Sequence, residues 1–336
     1  MLRAGVVRNC YNNNMTSPVL EVRNLRVDFT VDKRTVPVLR GLSYSLEKGR
    51  VLAVVGESGS GKTVHALSLL RLLPPSADIA GGEIVFNGQD LLSLSASSLR
   101  DVRGNKISMI FQDPSSSLNP VLTIGEQLEE TLCAHRKISR EEARRQAARL
   151  LTSVGIADAE KRLGEYPFQF SGGMCQRVMI AMALALSPDV LIADEPTTAL
   201  DVTIQAQILG LMQALQRAAG TAVIFITHNL ALAAQIADDV LVLYAGLCME
   251  KAPAKDLFSN PLHPYTQGLL NSLASLSQTC EELPAIAGNP PVPGENLPGC
   301  PFAPRCNKAF DKCRACLPPL FEKNGRQVRC WLEDAK

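Results

Sequence analysis

The chain has 336 residues and a net charge of +1, with 46% hydrophobic, 20% charged and 5% aromatic residues. These values are ordinary for a chain that buries a sizeable core, and the length allows about two domains. They do not indicate the strongly basic face or the stacking aromatics of a nucleic-acid-binding domain.

The first half of the chain begins with strand patterns. Residues 1–18 are predicted to be a disordered or misannotated extension, because Met15 opens a stretch that reads like a natural start. Residues 19–29 alternate apolar and polar side chains, as a half-buried strand does. Residues 51–56 form a continuous apolar run, which is typical of a strand buried on both faces, and helical spacing follows at 64–73.

Helical patterns dominate the middle of the chain. Residues 81–91 predict a hairpin strand and its turn, and from about 113 to 186 the pattern is helical. Ser139 with Glu142 three residues later predicts a capping box at the start of one helix. Further apolar runs that favour strands lie at 190–194, 221–228 and 239–246.

The composition changes beyond about residue 251. Residues 284–304 are rich in proline, so we expect a loop-rich tail that forms a separate small module. No apolar run approaches the roughly 18 residues that a membrane span needs, and the N-terminus does not have the pattern of a signal peptide. We therefore expect synthesis in the cytosol and a membrane location only through a partner.

Residues 56–63, GESGSGKT, match the phosphate-binding pattern GxxxxGK[ST] in full. Glycines let the backbone approach phosphates, and N–H groups at the start of the following helix form an anion nest. Lys62 would bridge the β- and γ-phosphates of ATP, and Thr63 would take one Mg²⁺ position. The predicted nucleotide-binding residues are Gly56, Glu57, Ser58, Gly59, Ser60, Gly61, Lys62 and Thr63.

Two carboxylates end the apolar run at 190–194. Asp194 would hold Mg²⁺ through water, and Glu195 would lie beside the γ-phosphate, where it can orient or deprotonate the attacking water. An ordinary pair of acidic residues between a strand and a loop has the same pattern. The position of Asp194 and Glu195 after the phosphate-binding loop (P-loop) at 56–63 favours the catalytic interpretation.

The run FSGGMCQR at 170–177 resembles the signature motif of ABC ATPases, usually written LSGGQ. Ser171, Gly172 and Gly173 place a hydroxyl and bare N–H groups at a predicted helix start. In ABC ATPases this element reaches the γ-phosphate held by the opposite subunit. Two positions differ from that pattern, since Phe170 replaces Leu and Met174 replaces Gln, while the phosphate-binding Ser-Gly-Gly is intact.

Further single residues resemble parts of the same ATPase family. Gln112 resembles the Q-loop glutamine that contacts Mg²⁺ or water, Asp201 the D-loop aspartate of the dimer interface, and His228 the switch histidine. Each has an ordinary alternative, namely a capped loop, a helix N-cap or a hydrogen-bonded histidine. Phe29 is a candidate for the aromatic that stacks on adenine, and equally for a core residue of its strand.

Longer stretches resemble the ATPase subunits of oligopeptide and dipeptide permeases, a family that also includes nickel importers. These stretches are 166–185, 191–209 and 260–273, and the most diagnostic short run is HPYT at 263–266. The resemblance implies ATP-driven import of peptides, with nickel or another small solute as the alternative. It also implies a second related ATPase, two membrane permeases and an extracytoplasmic binding protein as partners, and a peripheral location on the cytoplasmic face of the inner membrane.

The resemblance implies an α/β fold: a P-loop NTPase (RecA-like) core, an antiparallel β subdomain, an ABC-type α-helical subdomain and a small cysteine-containing C-terminal module. The expected boundaries follow the patterns above. The extension covers 1–18, the ATPase domain 19–258 with its helical subdomain at about 113–186, and the C-terminal module 259–336.

Five of the ten cysteines lie in the tail. A cytosolic chain should not hold stable disulfides, so the cluster favours a metal or cluster site. Cys300, Cys306, Cys313 and Cys330 resemble the tail cysteines of the family, which in some members look like the ligands of a four-iron, four-sulfur (4Fe-4S) cluster. Four thiolates suit such a cluster or zinc, and reduced thiols without metal are the alternative. Cys316 is interpreted as an extra cysteine.

Two rival functions stay open at this point. One is a soluble ABC ATPase that acts on nucleic acid, against which the near-neutral charge and the permease-like tail argue. The other is a non-catalytic half of a dimer, against which the intact Lys62, Asp194, Glu195 and His228 argue.

Overall fold

The computed structural model describes residues 17–113, 117–197, 202–274, 286–295 and 297–334, which form a four-stranded sheet, an eight-stranded sheet and helices. The strands are β1 Leu20–Val31, β2 Arg34–Leu46, β3 Val51–Val55, β4 Ala77–Phe86, β5 Gln89–Asp90, β6 Ile107–Ile110, β7 Val190–Asp194, β8 Ala222–Thr227, β9 Asp239–Tyr244, β10 Leu247–Pro253, β11 Phe321–Lys323 and β12 Arg326–Val328. The α-helices are α1 Lys62–Leu69, α2 Ala96–Val102, α3 Ile124–Cys133, α4 Arg140–Ser153, α5 Ala159–Arg162, α6 Gly172–Leu184, α7 Val202–Ala219, α8 Leu230–Ile236, α9 Ala254–Ser259, α10 Pro264–Ala274 and α11 Asp311–Ala315. In the part of the chain described, no helix is both long and apolar enough to cross a membrane.

The smaller sheet is antiparallel, in the order β2-β1-β4-β5. Its strand β1 buries Leu20, Val22, Leu25 and Val27 in one hydrophobic cluster, so the predicted half-buried strand is confirmed. Strands β1 and β2 pair almost to the turn between them, where Val31 faces Arg34. The hairpin predicted at 81–91 is also present, as β4 and β5.

The larger sheet has the order β11-β12-β10-β9-β3-β8-β7-β6. Its central strands β9, β3, β8, β7 and β6 are parallel, and all residues of β3, β7 and β8 are buried. Continuous apolar runs are the expected composition of parallel strands covered on both faces. The runs at 51–56, 190–194 and 221–228 therefore predict this sheet correctly.

The predicted site residues follow the carboxyl ends of these parallel strands. The P-loop follows β3, Asp194 ends β7, and His228 follows β8. Gln112 follows β6 by two residues. Ligands of open α/β sheets bind at these ends, so the topology brings four distant segments to one place.

Helices α3 to α6 lie within the region predicted to be helical. Ser139 caps α4 by accepting a hydrogen bond from the Glu142 N–H at 3.2 Å. The predicted capping box is incomplete there, because the Glu142 carboxylate accepts from Arg145 and Gln146, whose side chains lie on the same helix face. A complete capping box is instead formed at α3 by Thr123 and Glu126.

The tail, residues 259–336, extends the larger sheet through backbone hydrogen bonds. Strand β12 pairs antiparallel with β10, and β11 pairs with β12. Tyr265, Phe302 and Ala303 are buried in one cluster with Val242 and Tyr244 of β9. The tail is loop-rich as predicted, but its strands and core residues continue those of the ATPase region.

Candidate functional site

The P-loop conformation depends on glycine at two positions. A Cβ on Gly56 would lie 2.2 Å from the Leu243 carbonyl oxygen and 2.9 Å from Ser60 Oγ, so no larger residue fits. Gly61 precedes α1 with a φ of 104°, a conformation that favours glycine. The loop therefore packs against β9 and turns into α1, which directs N–H groups of the helix start into the site.

Lys62 lies against the backbone of its own loop. Its Nζ donates to the carbonyl oxygens of Gly56, at 2.8 Å, and Glu57, at 2.9 Å. Burial lowers the pKa of Lys62, while the nearby carboxylates of Glu195, Asp194 and Glu57 act in the opposite direction. The lysine is thus close to both acidic residues of the predicted catalytic pair.

Thr63 and Asp194, two of the three residues predicted to contact Mg²⁺, come together, whereas the third, Gln112, donates to Glu195. The Thr63 hydroxyl donates to the carboxylate of Asp194, which is buried at the end of β7. Burial raises the pKa of Asp194, the Thr63 hydrogen bond lowers it, and the Glu195 charge raises it further. Asp194 Oδ1 is buried and has no hydrogen-bond partner among the described residues. A hydroxyl beside such a carboxylate oxygen fits a magnesium ion with water ligands.

Glu195 is held in an unusual backbone conformation. Its φ is 47°, in the left-handed region that non-glycine residues rarely adopt, and its N–H donates to the Ile226 carbonyl at 3.0 Å. Strain of this kind is concentrated at functional sites. Gln112 Nε2 donates to Glu195 Oε2 at 3.2 Å, and His228 Nδ1 lies 3.1 Å from Glu195 Oε1. The structure therefore brings the three predicted catalytic residues into direct contact.

The signature-like residues lie at the start of α6. The Ser171 side chain caps this helix, accepting from the Met174 N–H, and both Ser171 and Gly172 are exposed. Phe170 is buried, with the Arg162 guanidinium 5.8 Å from its ring centroid. Met174 packs against the same hydrophobic cluster. The two departures from LSGGQ are thus packing residues, whereas Ser171 and Gly172 are exposed and Gly173 is half-buried.

Two predicted residues are not placed at this site by the structure. Phe29 lies within β1, opposite Val36 and Ala77, and packs against the core of the smaller sheet. This position fits a core residue of a strand, and its role in adenine stacking stays a prediction. Asp201 lies outside the described residues.

Four of the tail cysteines, Cys300, Cys306, Cys313 and Cys330, lie within electrostatic reach of one another. Cys300, Cys313 and Cys330 are buried and Cys306 is half-buried, whereas Cys316 is exposed. Burial, reinforced by the neighbouring thiols, raises the pKa of Cys300 and that of Cys330 to about 11. Among the residues that the structure describes, no group of three or more His, Cys, Asp or Glu side chains is arranged to hold a metal ion.

Sequence reasoning missed the contacts that the tail makes with the P-loop. Arg305 binds the Glu57 carboxylate, with N–O distances of 2.6 and 3.1 Å, and the Tyr265 hydroxyl accepts from the Glu57 N–H at 2.9 Å. The one sequence feature that pointed to these contacts was the HPYT run at 263–266, which contains Tyr265. In the sequence this run identifies the family but does not indicate what Tyr265 binds.

The fold and this set of contacts define a P-loop ATPase of the ABC class. The family model described as ABC transporter matches residues 39–198, and the model described as Oligopeptide/dipeptide transporter, C-terminal region, matches residues 249–313. The chain belongs to the ATP-binding proteins of this oligopeptide/dipeptide transporter family.

Relatives of known name are similar over nearly the whole chain. The dipeptide transport ATP-binding protein DppD of Bacillus subtilis is 50% identical over 320 residues, which are 95% of this chain and 96% of that protein. The oligopeptide transport ATP-binding protein AppD of the same organism is 49% identical over 318 residues, 94% of this chain and 97% of that protein.

Solved structures support the fold. The ATP-binding cassette MJ0796, in a dimeric post-hydrolysis state bound to ADP and Pi, superposes with a TM-score of 0.64 and 26% identity. That alignment covers 70% of this chain and 98% of the cassette, so most of the chain has the fold of an ATP-binding cassette. CbiO1 from Clostridium perfringens, part of the complex cbiONQ, has a TM-score of 0.61 and 25% identity over 73% of this chain and 92% of its own.

Proposed function

We propose that this chain is the ATP-hydrolysing subunit of an importer that takes up di- or oligopeptides. The observation that carries the proposal is the identity of about half the residues to peptide-transport ATP-binding proteins, which extends through the tail as well as the ATPase region. ATP hydrolysis needs an oriented general base, and the contacts of Gln112 and His228 with the Glu195 carboxylate support that role for Glu195.

In the proposed reaction, water attacks the γ-phosphorus of ATP, and ADP and phosphate leave. The N–H groups of the P-loop and the ammonium group of Lys62 bind the phosphate oxygens. Thr63 and Asp194 would hold Mg²⁺, which would neutralise charge on the phosphates. Glu195 accepts a hydrogen bond from the attacking water and takes its proton, while Gln112 and His228 fix the direction of the Glu195 carboxylate.

We also propose that the site works in a dimer. Ser171 and Gly172 are exposed at the N-terminus of α6, which suits binding of a phosphate held by another subunit. A second related ATPase would complete this pair, with Asp201 near the interface. Two membrane permeases and an extracytoplasmic binding protein would complete the transporter, and the chain would be peripheral on the cytoplasmic face of the membrane.

The proposed domain organisation is an ATPase domain at 19–258, with a helical part at about 113–186, followed by a C-terminal module at 259–336 and preceded by an extension at 1–18. The matches of the two family models at 39–198 and 249–313 are compatible with this division.

Deletion of the gene for this chain tests the proposed transport function. We expect the deletion strain to lose uptake of radiolabelled di- or oligopeptides and to keep uptake of nickel. The intact gene should restore peptide uptake, whereas a gene encoding Lys62→Ala should not, because the alanine cannot bind the phosphates. Normal peptide uptake combined with loss of nickel uptake would assign the subunit to a nickel importer instead.

For the tail cysteines we propose a site for a 4Fe-4S cluster formed by Cys300, Cys306, Cys313 and Cys330, with zinc as the alternative metal. Cys300 lies within electrostatic reach of the other three thiols, and the Cys300 N–H donates to the Cys313 carbonyl at 2.8 Å, which supports a shared site. Thiolate ligands suit both metals.

Purification without oxygen tests this cysteine site. We expect brown protein with about four irons per chain, because a cubane cluster absorbs visible light and contains four irons. Cys300→Ser should lose the colour, while the exposed Cys316 allows a matched control, Cys316→Ser, that should keep it. Colourless wild-type protein, with zinc or with no metal, would reject the cluster.

A further inference from the structure

Three chemical groups of the P-loop residue Glu57 are bonded at once. Its N–H donates to the Tyr265 hydroxyl at 2.9 Å, its carboxylate binds Arg305, and its carbonyl oxygen accepts from Lys62 Nζ at 2.9 Å. The first two partners belong to the tail, and the third is the phosphate-binding lysine of the loop itself. Glu57 is therefore the residue through which the tail and the lysine are mechanically connected.

Arg305 is itself held in one position. Its side chain is 6% exposed and donates to the carbonyl oxygens of Ile286 and Ala287 as well as to Glu57. Its guanidinium lies 5.9 Å from the ring centroids of both Tyr244 and Phe302. A planar guanidinium with this many partners cannot rotate without losing several of them, so it fixes the Glu57 carboxylate firmly.

Tyr265 is equally fixed. It is fully buried, and its ring centroid lies 4.6 Å from that of Tyr244 and 5.2 Å from that of Phe302. His263 Nδ1 accepts from the Tyr265 N–H at 2.9 Å, and Glu250 accepts from the His263 N–H at 2.9 Å. The HPYT run thus forms a rigid support that presents one hydroxyl to the P-loop.

We propose that Arg305 and Tyr265 are positioning residues that hold the P-loop in its phosphate-binding conformation through Glu57. Neither residue needs to touch the nucleotide. A displaced Glu57 would move the carbonyl oxygen that Lys62 binds, and would leave the Glu57 N–H and carboxylate without their tail partners. The inference rests on the nucleotide site of the proposed function and adds that the tail determines how tightly this site binds ATP.

The test compares two ion pairs made by residues of the same tail, Arg305–Glu57 and Lys323–Glu333. Arg305→Lys keeps the charge beside Glu57 but loses the two parallel hydrogen bonds, and Tyr265→Phe removes only the hydroxyl. The matched control is Lys323→Gln, since Lys323 binds the buried Glu333 side chain at 3.1 Å and has no hydrogen bond to the P-loop or to the residues that hold Tyr265 among the contacts described. MgATP binding by each full-length chain is measured by calorimetry, and thermal unfolding is recorded alongside.

We expect MgATP to bind about tenfold more weakly to Arg305→Lys, which loses the two parallel hydrogen bonds to Glu57, and about threefold more weakly to Tyr265→Phe, which loses one. Lys323→Gln should lower the unfolding temperature, because it removes the ion pair with Glu333, and should keep the wild-type affinity. In the assembled transporter, the KM for ATP should rise with the dissociation constant while kcat stays within about twofold, as expected when ground-state binding alone is lost.

A double-mutant cycle keeps the proposal testable if one variant folds poorly. With Glu57→Gln already present, Arg305→Lys should cause little further loss of affinity, because the two residues act through the same pair. Unchanged affinity in Arg305→Lys and Tyr265→Phe, or an equal loss in Lys323→Gln, would overturn the positioning role. A wild-type chain that binds no nucleotide would instead overturn the proposed function, so the two failures are distinguishable.

Discussion

Glu195→Gln is expected to bind MgATP normally and to lose turnover by about 10²- to 10⁴-fold, the range for removal of a general base. The amide keeps the size of the side chain and its hydrogen-bonding oxygen, so the contacts of the loop can persist. It cannot take a proton from water. The measurement is phosphate release by the assembled transporter, together with calorimetric binding of MgATP.

A suitable control is Glu47→Gln, which neutralises an acidic side chain that is 54% exposed. Its turnover should equal that of the wild type, because Glu47 lies in the loop between β2 and β3, before the strand that leads into the P-loop. Hydrolysis at the normal rate by Glu195→Gln would show that another group activates the water.

Gly56→Ala is expected to abolish MgATP binding and to lower the free energy of unfolding by about 3 kcal/mol, the upper part of the usual range for overpacking. The new Cβ would meet the Leu243 carbonyl oxygen at 2.2 Å, and that oxygen belongs to the backbone of β9. Backbone cannot move aside as a flexible side chain can, so the loop must leave β9.

Gly88→Ala provides the comparison. Gly88 has a φ of 82°, but a Cβ there would meet nothing within 4 Å, so its cost is the left-handed conformation alone, about 1 kcal/mol. Denaturant unfolding of both variants without nucleotide gives the two losses in the free energy of unfolding. The loss in Gly88→Ala reports backbone strain alone, and the additional loss in Gly56→Ala reports the steric clash with β9. Full MgATP affinity in Gly56→Ala would show that the phosphate-binding conformation of the P-loop does not depend on its close approach to β9.

The sequence predicts most of the nucleotide site because that site consists of local patterns. A buried apolar run, a glycine loop and a helix are consecutive, so β3, the P-loop and α1 can be placed from residues 51–69 alone. Parallel pairing then brings the ends of β6, β7 and β8 beside them, since such strands align their carboxyl ends. The contact of Glu195 with Gln112 and His228 follows from this topology.

Other features depend on contacts between distant residues and have no local pattern. Arg305 and Glu57 are 248 residues apart, and nothing near either residue indicates the other. Strands β11 and β12 have three residues each, too short for an alternating pattern to be recognised. The incomplete capping box at Glu142 has the same origin, because competition from Arg145 and Gln146 is decided by side-chain geometry.

The pairing of β12 with β10 has a consequence for association between chains. Strand β10 has seven residues, and without the tail it would present its unpaired backbone groups to other molecules, as aggregation-prone edge strands do. With the tail in place the outermost strand is β11, which is short and carries Glu322 and Lys323. A short charged strand is a poor template for further pairing. The tail therefore protects the sheet against intermolecular strand addition, and a chain that ended before it would be prone to self-association.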